Sequence, residues 1–124
     1  MKIKISIQNY SFTASLNNSK TSILIYDLLP IEGSANIWGE EIYFTIPATI
    51  EEESDAREIV EVGELGFWPV GSAFCIFFGL TPVSIDERPK AYSPVNVFGK
   101  IEGDISALKD IKNGEKIIVS KINE

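Results

Sequence analysis

The sequence predicts a mainly β domain, folded as a closed antiparallel barrel with two short helices. Apolar and polar residues alternate in many short segments, and turn residues separate these segments at close spacing. The connections are too short to hold the crossover helices that a parallel sheet requires. Closure is favoured because a closed sheet has no exposed edges. The chain has 124 residues, the length of one domain, and we expect residues 1–124 to form a single one.

The first third of the chain contains a predicted hairpin and a predicted helix. Residues 3–7 and 12–16 alternate apolar and polar side chains, which is typical of two antiparallel strands. Residues 18–29 predict a short helix, which Asn18 or Ser19 caps and a following proline ends. The apolar positions predicted to face the sheet from this helix are Ile23, Leu24 and Leu28.

Short strands dominate the rest of the chain. Residues 35–47 predict two strands or one bent strand, broken at Gly39. If Ile42, Phe44 and Ile46 face the interior, then Tyr43 faces outward. An acidic loop follows, and the further predicted elements are strands at 58–62, 65–68, 73–78, 95–101 and 115–122, a long loop at 79–94 and a short helix at 106–111.

The composition limits which binding partners and which cellular compartment we expect for this protein. The net charge of −7 opposes a phosphate backbone, and the basic residues are scattered, so we expect no nucleic-acid partner. No apolar run reaches the length of a membrane span, and the N-terminus does not resemble a secretory signal, so we expect no membrane partner and a cytoplasmic protein. The single cysteine excludes an intrachain disulfide and agrees with a reducing compartment.

The chain lacks the residues of several catalytic classes. With no histidine and one cysteine, it cannot build a serine or cysteine triad or a tetrahedral zinc site, so a hydrolase or a metalloenzyme is not expected. Cys75 stands among apolar residues, which predicts a buried, inert thiol. Glu40 and Glu41 are adjacent, so on a strand they face opposite sides and cannot act as an acid and base pair. We expect neither a metal nor a cofactor.

Several stretches resemble one family across nearly the whole chain. They are residues 29–32, 36–44, 63–69, 76–82 and 92–99, and the most specific among them are Trp38-Gly39-Glu40-Glu41 and Trp68-Pro69. In these stretches the chain resembles the cyclophilin-like domain family of small archaeal and bacterial proteins. The resemblance implies a closed eight-stranded antiparallel β-barrel capped by helices, related in topology to cyclophilins. It implies no activity, because a fold does not fix a function.

The chain departs from classical cyclophilins at their catalytic motifs. It has no Phe-His-Arg stretch and no Gln-Gly-Gly-Asp stretch, so no catalytic residue is carried over. Only Arg57 and Arg88 could supply a guanidinium to a prolyl peptide. The competing interpretation is that both arginines are surface partners of nearby carboxylates.

The placement of aromatic residues indicates a ligand groove. Aromatic side chains on the outward face of the strands are either covered by the helices and the long loop or form a shallow apolar groove. We predict a binding module for a proline-containing peptide or a small apolar ligand, with a divergent prolyl isomerase and an oligomer-forming subunit as alternatives. The candidate ligand-binding residues are Arg57, Arg88, Tyr43, Trp68, Phe77, Tyr92 and Asn96.

Overall fold

A computed structural model describes residues 1–122, which form ten strands, one α-helix and one short 3-10 helix. The strands are β1 (Lys2–Ile7), β2 (Tyr10–Leu16), β3 (Ile31–Ser34), β4 (Asn36–Trp38), β5 (Glu41–Thr45), β6 (Arg57–Ile59), β7 (Glu64–Trp68), β8 (Ala73–Phe77), β9 (Lys90–Ile101) and β10 (Lys116–Lys121). The α-helix is α1 (Lys20–Leu28), and the 3-10 helix spans Ser106–Asp110.

All strand pairs are antiparallel, in the order β3-β10-β1-β2-β9-β7-β8-β5-β4, with β6 paired to β9. The predicted mainly β, antiparallel class is confirmed. The predicted closed eight-stranded barrel is wrong, because the sheet has ten strands and does not close. Its two ends, β3 and β4, are consecutive in the chain and separated only by Ala35. Segments joined by one residue cannot form a hairpin with each other, so the ladder stays open there.

The alternation of side chains sorts residues to the two faces of the sheet. As predicted, Ile42, Phe44 and Ile46 are buried in the main core, together with the isoleucines of β1. Tyr43 lies on the other face and packs against a second, smaller apolar cluster. The members of this second cluster are Val60, Ala73, Cys75, Phe77, Ala91 and Val95.

Helix α1 is present where it was predicted, but its buried face is different. Ser19 caps it and accepts a hydrogen bond from the backbone N–H of Ser22. The buried side chains are Thr21, Ser22 and Ile25, whereas the predicted Ile23, Leu24 and Leu28 are 48%, 39% and 36% exposed. The polar face turns inward because its hydroxyl groups find partners there: the Ser22 hydroxyl donates to a backbone carbonyl 2.7 Å away.

The long predicted loop is shorter than expected, because β9 begins at Lys90. The first half of β9 pairs with β6, and the register shifts between Arg57 and Ile59. Such an irregularity tolerates a proline, which explains why Pro94 does not break the strand. The predicted strand at 58–62 is the shorter β6, and the predicted helix at 106–111 is the 3-10 helix. Within residues 1–122, the helices are all too short or too polar to cross a bilayer.

Candidate functional site

A cavity of about 470 Å³ lies on the face of the sheet that carries the second apolar cluster. Its volume falls in the range typical of small-ligand sites. Strands β4, β5, β7, β8 and β9 and the loop between β8 and β9 all contribute to its wall. The lining residues are Trp38, Glu41, Tyr43, Trp68, Cys75, Pro82, Val83, Ala91, Tyr92 and Val95.

The floor of the cavity follows from the pairing of β4, β5 and β8. Residues directly opposite in an antiparallel ladder share a face, as do residues two apart along a strand. Glu41 pairs with Trp38 on one side and with Phe77 on the other, and Tyr43 pairs with Cys75. The register therefore places all five side chains on the same face of the sheet.

The loop between β8 and β9 forms the opposite wall. The backbone N–H of Glu40 donates to the Leu80 carbonyl over 2.8 Å, and the Leu80 N–H donates to a Glu40 carboxylate oxygen over 3.3 Å. Gly39 has a positive φ of 59° and passes so close to the loop that a Cβ there would lie 2.9 Å from the Leu80 oxygen. These contacts hold the loop against the β4–β5 turn, with Pro82 and Val83 over the cavity.

Three aromatic rings are grouped around the cavity. Tyr92 is 71% exposed and stands between two indoles. Its ring centroid lies 6.3 Å from that of Trp38 and 6.2 Å from that of Trp68, in edge-to-face geometry in both pairs. Trp68 is fixed by a hydrogen bond from its Nε1 to the Ser93 hydroxyl, 2.5 Å long.

Glu41 is the acidic residue of the lining, and its side chain is only 6% exposed. Within residues 1–122, no lysine or arginine nitrogen comes within 4.0 Å of its carboxylate. Burial raises the pKa of Glu41 to about 7, and the neighbouring Cys75 thiol opposes this rise only in part. Near neutral pH, Glu41 therefore exists in both its protonated and its ionised form.

Cys75 is buried and unpaired by any disulfide, as the sequence predicts. Burial raises the pKa of its thiol well above the usual range, and the negative charge of Glu41 raises it further. A thiol in this setting stays protonated and is a poor nucleophile. Its position in the lining makes it part of the cavity wall.

The structure brings three of the seven candidate ligand-binding residues into the cavity lining. They are Tyr43, Trp68 and Tyr92. Phe77 lies in the second apolar cluster and is fully buried. Asn96 is also buried, and its side chain accepts from the Glu53 N–H over 2.8 Å and donates to the Thr21 hydroxyl over 3.1 Å. Asn96 thus joins α1 to the acidic loop rather than lining the cavity.

Both arginines are outside the cavity lining and bound to carboxylates. Arg57 makes two parallel hydrogen bonds to Glu64, of 3.1 and 3.0 Å. Arg88 pairs with Asp86 at 2.7 Å. Each arginine is thus paired with a carboxylate, Arg57 with Glu64 and Arg88 with Asp86.

None of the other seven lining residues is among the ligand-binding residues predicted from the sequence. Alternation along β5 places Glu41 on the same face as Tyr43, and the turn at Gly39 places Trp38 opposite Glu41, so a signal for these two residues is present in the sequence. The sequence holds no such signal for the packing of the β8–β9 loop against Trp38 and Glu41. The lining residues that sequence reasoning did not select as ligand-binding residues are Trp38, Glu41, Cys75, Pro82, Val83, Ala91 and Val95.

Among residues 1–122, the acidic and cysteine side chains do not gather in groups of three or more that could hold a metal ion.

Comparisons with known proteins agree with the resemblance seen in the sequence. The model of the cyclophilin-like family matches residues 1–120. The solution structure of a hypothetical protein from Archaeoglobus fulgidus is similar, with 35% identity and a TM-score of 0.83, over 98% of this chain and 95% of that one. A search of curated proteins gave no match. This chain belongs to the cyclophilin-like family.

Proposed function

We propose that the chain binds a small organic molecule in the cavity between the β5–β8 floor and the loop that follows β8. The observation that carries the proposal is a ligand-sized space lined by aromatic and aliphatic side chains around one buried carboxyl group. Small-molecule sites typically combine an apolar wall with a few polar groups that fix orientation. Glu41 is such a group here.

The geometry supports binding more than catalysis of prolyl isomerisation. An isomerase of this kind needs a guanidinium beside an apolar pocket, and both arginines are held by Glu64 and Asp86 outside the lining. The lining thiol is protonated, so it offers no nucleophile for hydrolysis. Peptide binding and self-association stay predictions.

The two indole N–H groups of Trp38 and Trp68 report directly on the cavity. We expect some members of a panel of soluble fragments, such as indole, phenol and cyclohexanol, to shift the two indole signals in NMR spectra. Val83→Trp places a large ring in the cavity wall and is expected to abolish these shifts. Val70→Trp is the matched control, because Val70 is 79% exposed and lies outside the lining. Fragments that leave both signals unmoved, or that bind the Val83→Trp protein equally well, would contradict the proposal.

A further inference from the structure

We propose that the cavity takes an organic cation, an ammonium group carrying alkyl substituents, with Glu41 as its counter-ion and the rings of Trp38, Trp68 and Tyr92 around it. This inference rests on the proposed function and names the chemical class of its ligand.

The first support is the missing partner of Glu41. Buried carboxylates are normally paired with a cation, because removing an unpaired charge from water is unfavourable. Glu41 is 94% buried and lines the cavity, yet among residues 1–122 no lysine or arginine lies within 4.0 Å of its carboxylate. A cation in the cavity supplies that partner.

Among residues 1–122, the other residues that line the cavity supply no positive charge either. The titratable ones are Tyr43 on β5, Cys75 on β8 and Tyr92 on β9, and the rest are Trp38, Trp68, Pro82, Val83, Ala91 and Val95. Of the residues within 1–122 that line the cavity, Glu41 alone can carry a negative charge near neutral pH. An anionic ligand would meet this charge without compensation, so the lining selects against it.

The second support is the aromatic wall. A cation is attracted to the face of an indole or phenol ring, and the attraction is strongest where water is excluded. Tyr92 is within 6.3 Å of both indole centroids, so three rings border the same space. An alkylated ammonium suits this wall better than a primary one, because a primary ammonium needs hydrogen-bond acceptors for three N–H groups and the lining is mostly apolar.

Choline and its uncharged isostere 3,3-dimethylbutan-1-ol test the inference, because they share shape and differ in charge. We expect choline to bind at least about tenfold more tightly above pH 8, measured by the shift of the two indole signals. Glu41→Gln should remove most of this preference, so that the ratio of the two affinities falls toward one. Glu52→Gln is the control, since it removes one exposed negative charge that is not part of the lining.

The pH dependence gives a separate readout, because choline carries a permanent charge and does not titrate. Only ionised Glu41 pairs with it, and burial raises the pKa of Glu41 to about 7. The affinity for choline should therefore rise as the pH rises through about 7, and it should stay constant in Glu41→Gln.

A second experiment compares choline with a peptide that carries one trimethyllysine. Tighter binding of the peptide indicates that the natural ammonium group belongs to a protein side chain, whereas tighter binding of choline indicates that it belongs to a free small molecule.

The outcomes separate this inference from the proposed function. If the alcohol binds as tightly as choline, or if Glu41→Gln keeps the preference, the cation assignment is wrong while the cavity remains a ligand site. If neither compound nor the peptide binds but fragments of the panel do, the cation assignment is again wrong and the proposed function holds. If nothing shifts the indole signals, both are wrong.

Discussion

Replacing Glu41 with glutamine removes the charge of the cavity and keeps the shape of the side chain. In the folded protein, burial raises the pKa of Glu41 from 4.5 to about 7. The folded state then holds a proton that the unfolded state releases, so the native protein loses stability as the pH rises from about 4.5 to about 7. Since one pKa unit corresponds to about 1.4 kcal/mol, the loss amounts to about 3 kcal/mol.

The glutamine variant lacks this loss, so its stability relative to the native protein should change with pH. We expect the difference in free energy of unfolding to move by about 3 kcal/mol in favour of Glu41→Gln between about pH 4.5 and about pH 8.

Urea unfolding followed by tryptophan fluorescence measures this difference at each pH, and the other titrating groups cancel in it. Glu52→Gln serves as the control, because Glu52 is exposed. A difference that stays constant with pH for Glu41→Gln would refute the account of Glu41 as a buried carboxyl without a counter-ion.

Three further predictions concern packing and hydrogen bonding in the interior of the protein. Gly66→Ala should destabilise the protein by about 1–3 kcal/mol, because the added methyl group would lie 2.8 Å from Val95 Cγ2. An unchanged midpoint of urea unfolding would contradict this close approach. Asn96→Ala should lower the free energy of unfolding by about 2–4 kcal/mol, since it removes the hydrogen bonds that the buried Asn96 side chain makes with the Glu53 N–H, the Glu51 carbonyl and the Thr21 hydroxyl. Equal stability would show that water replaces these bonds. Cys75 should react with a thiol reagent far more slowly in the native protein than in urea, because Cys75 is 1% exposed and burial raises the pKa of its thiol. Equal rates in the two conditions would mean that the cavity wall opens freely.

The parts of the fold that the sequence predicts correctly are those that depend on near neighbours along the chain. Alternation along β5 assigns Ile42 and Phe44 to the core and Tyr43 to the opposite face, and all three assignments hold. The capping residue Ser19 likewise marks the start of α1 from local chemistry alone. Both signals lie within a few residues of the feature that they predict.

The errors arise where distant segments decide the outcome. The buried face of α1 includes Thr21 because Asn96, from β9, donates a hydrogen bond to its hydroxyl, and hydrophobic spacing within the helix cannot reveal that partner. The sheet stays open between its two end strands, β3 and β4, which one residue separates, and the sequence pattern does not identify β3 as a strand.

The candidate site shows the same limit. Alternation places Glu41 on the outward face, but its burial requires the loop that carries Pro82 and Val83 to pack over that face. Of the predicted residues, Tyr43 and Trp68 lie in the cavity wall partly covered, whereas Tyr92 borders the cavity while 71% exposed. The arginines were candidates for their chemistry alone, and the carboxylates beside them in the fold hold them elsewhere.

The stability and binding experiments on Glu41 constrain each other. Domains of this size have a free energy of unfolding of about 5–15 kcal/mol, so a loss of about 3 kcal/mol above neutral pH is a large fraction of the total. A glutamine at this position would have nearly the same shape and would avoid the loss. A glutamic acid at this position is explained if its ionised carboxylate binds a ligand. Ionised Glu41 destabilises the empty protein, and ionised Glu41 is also the form that binds a cation. A bound cation must therefore lower the pKa of Glu41, and it must stabilise the protein most above neutral pH, where the empty protein is least stable. Choline should therefore raise the urea midpoint of the native protein above pH 7, do so much less near pH 5, and leave the midpoint of Glu41→Gln almost unchanged at either pH.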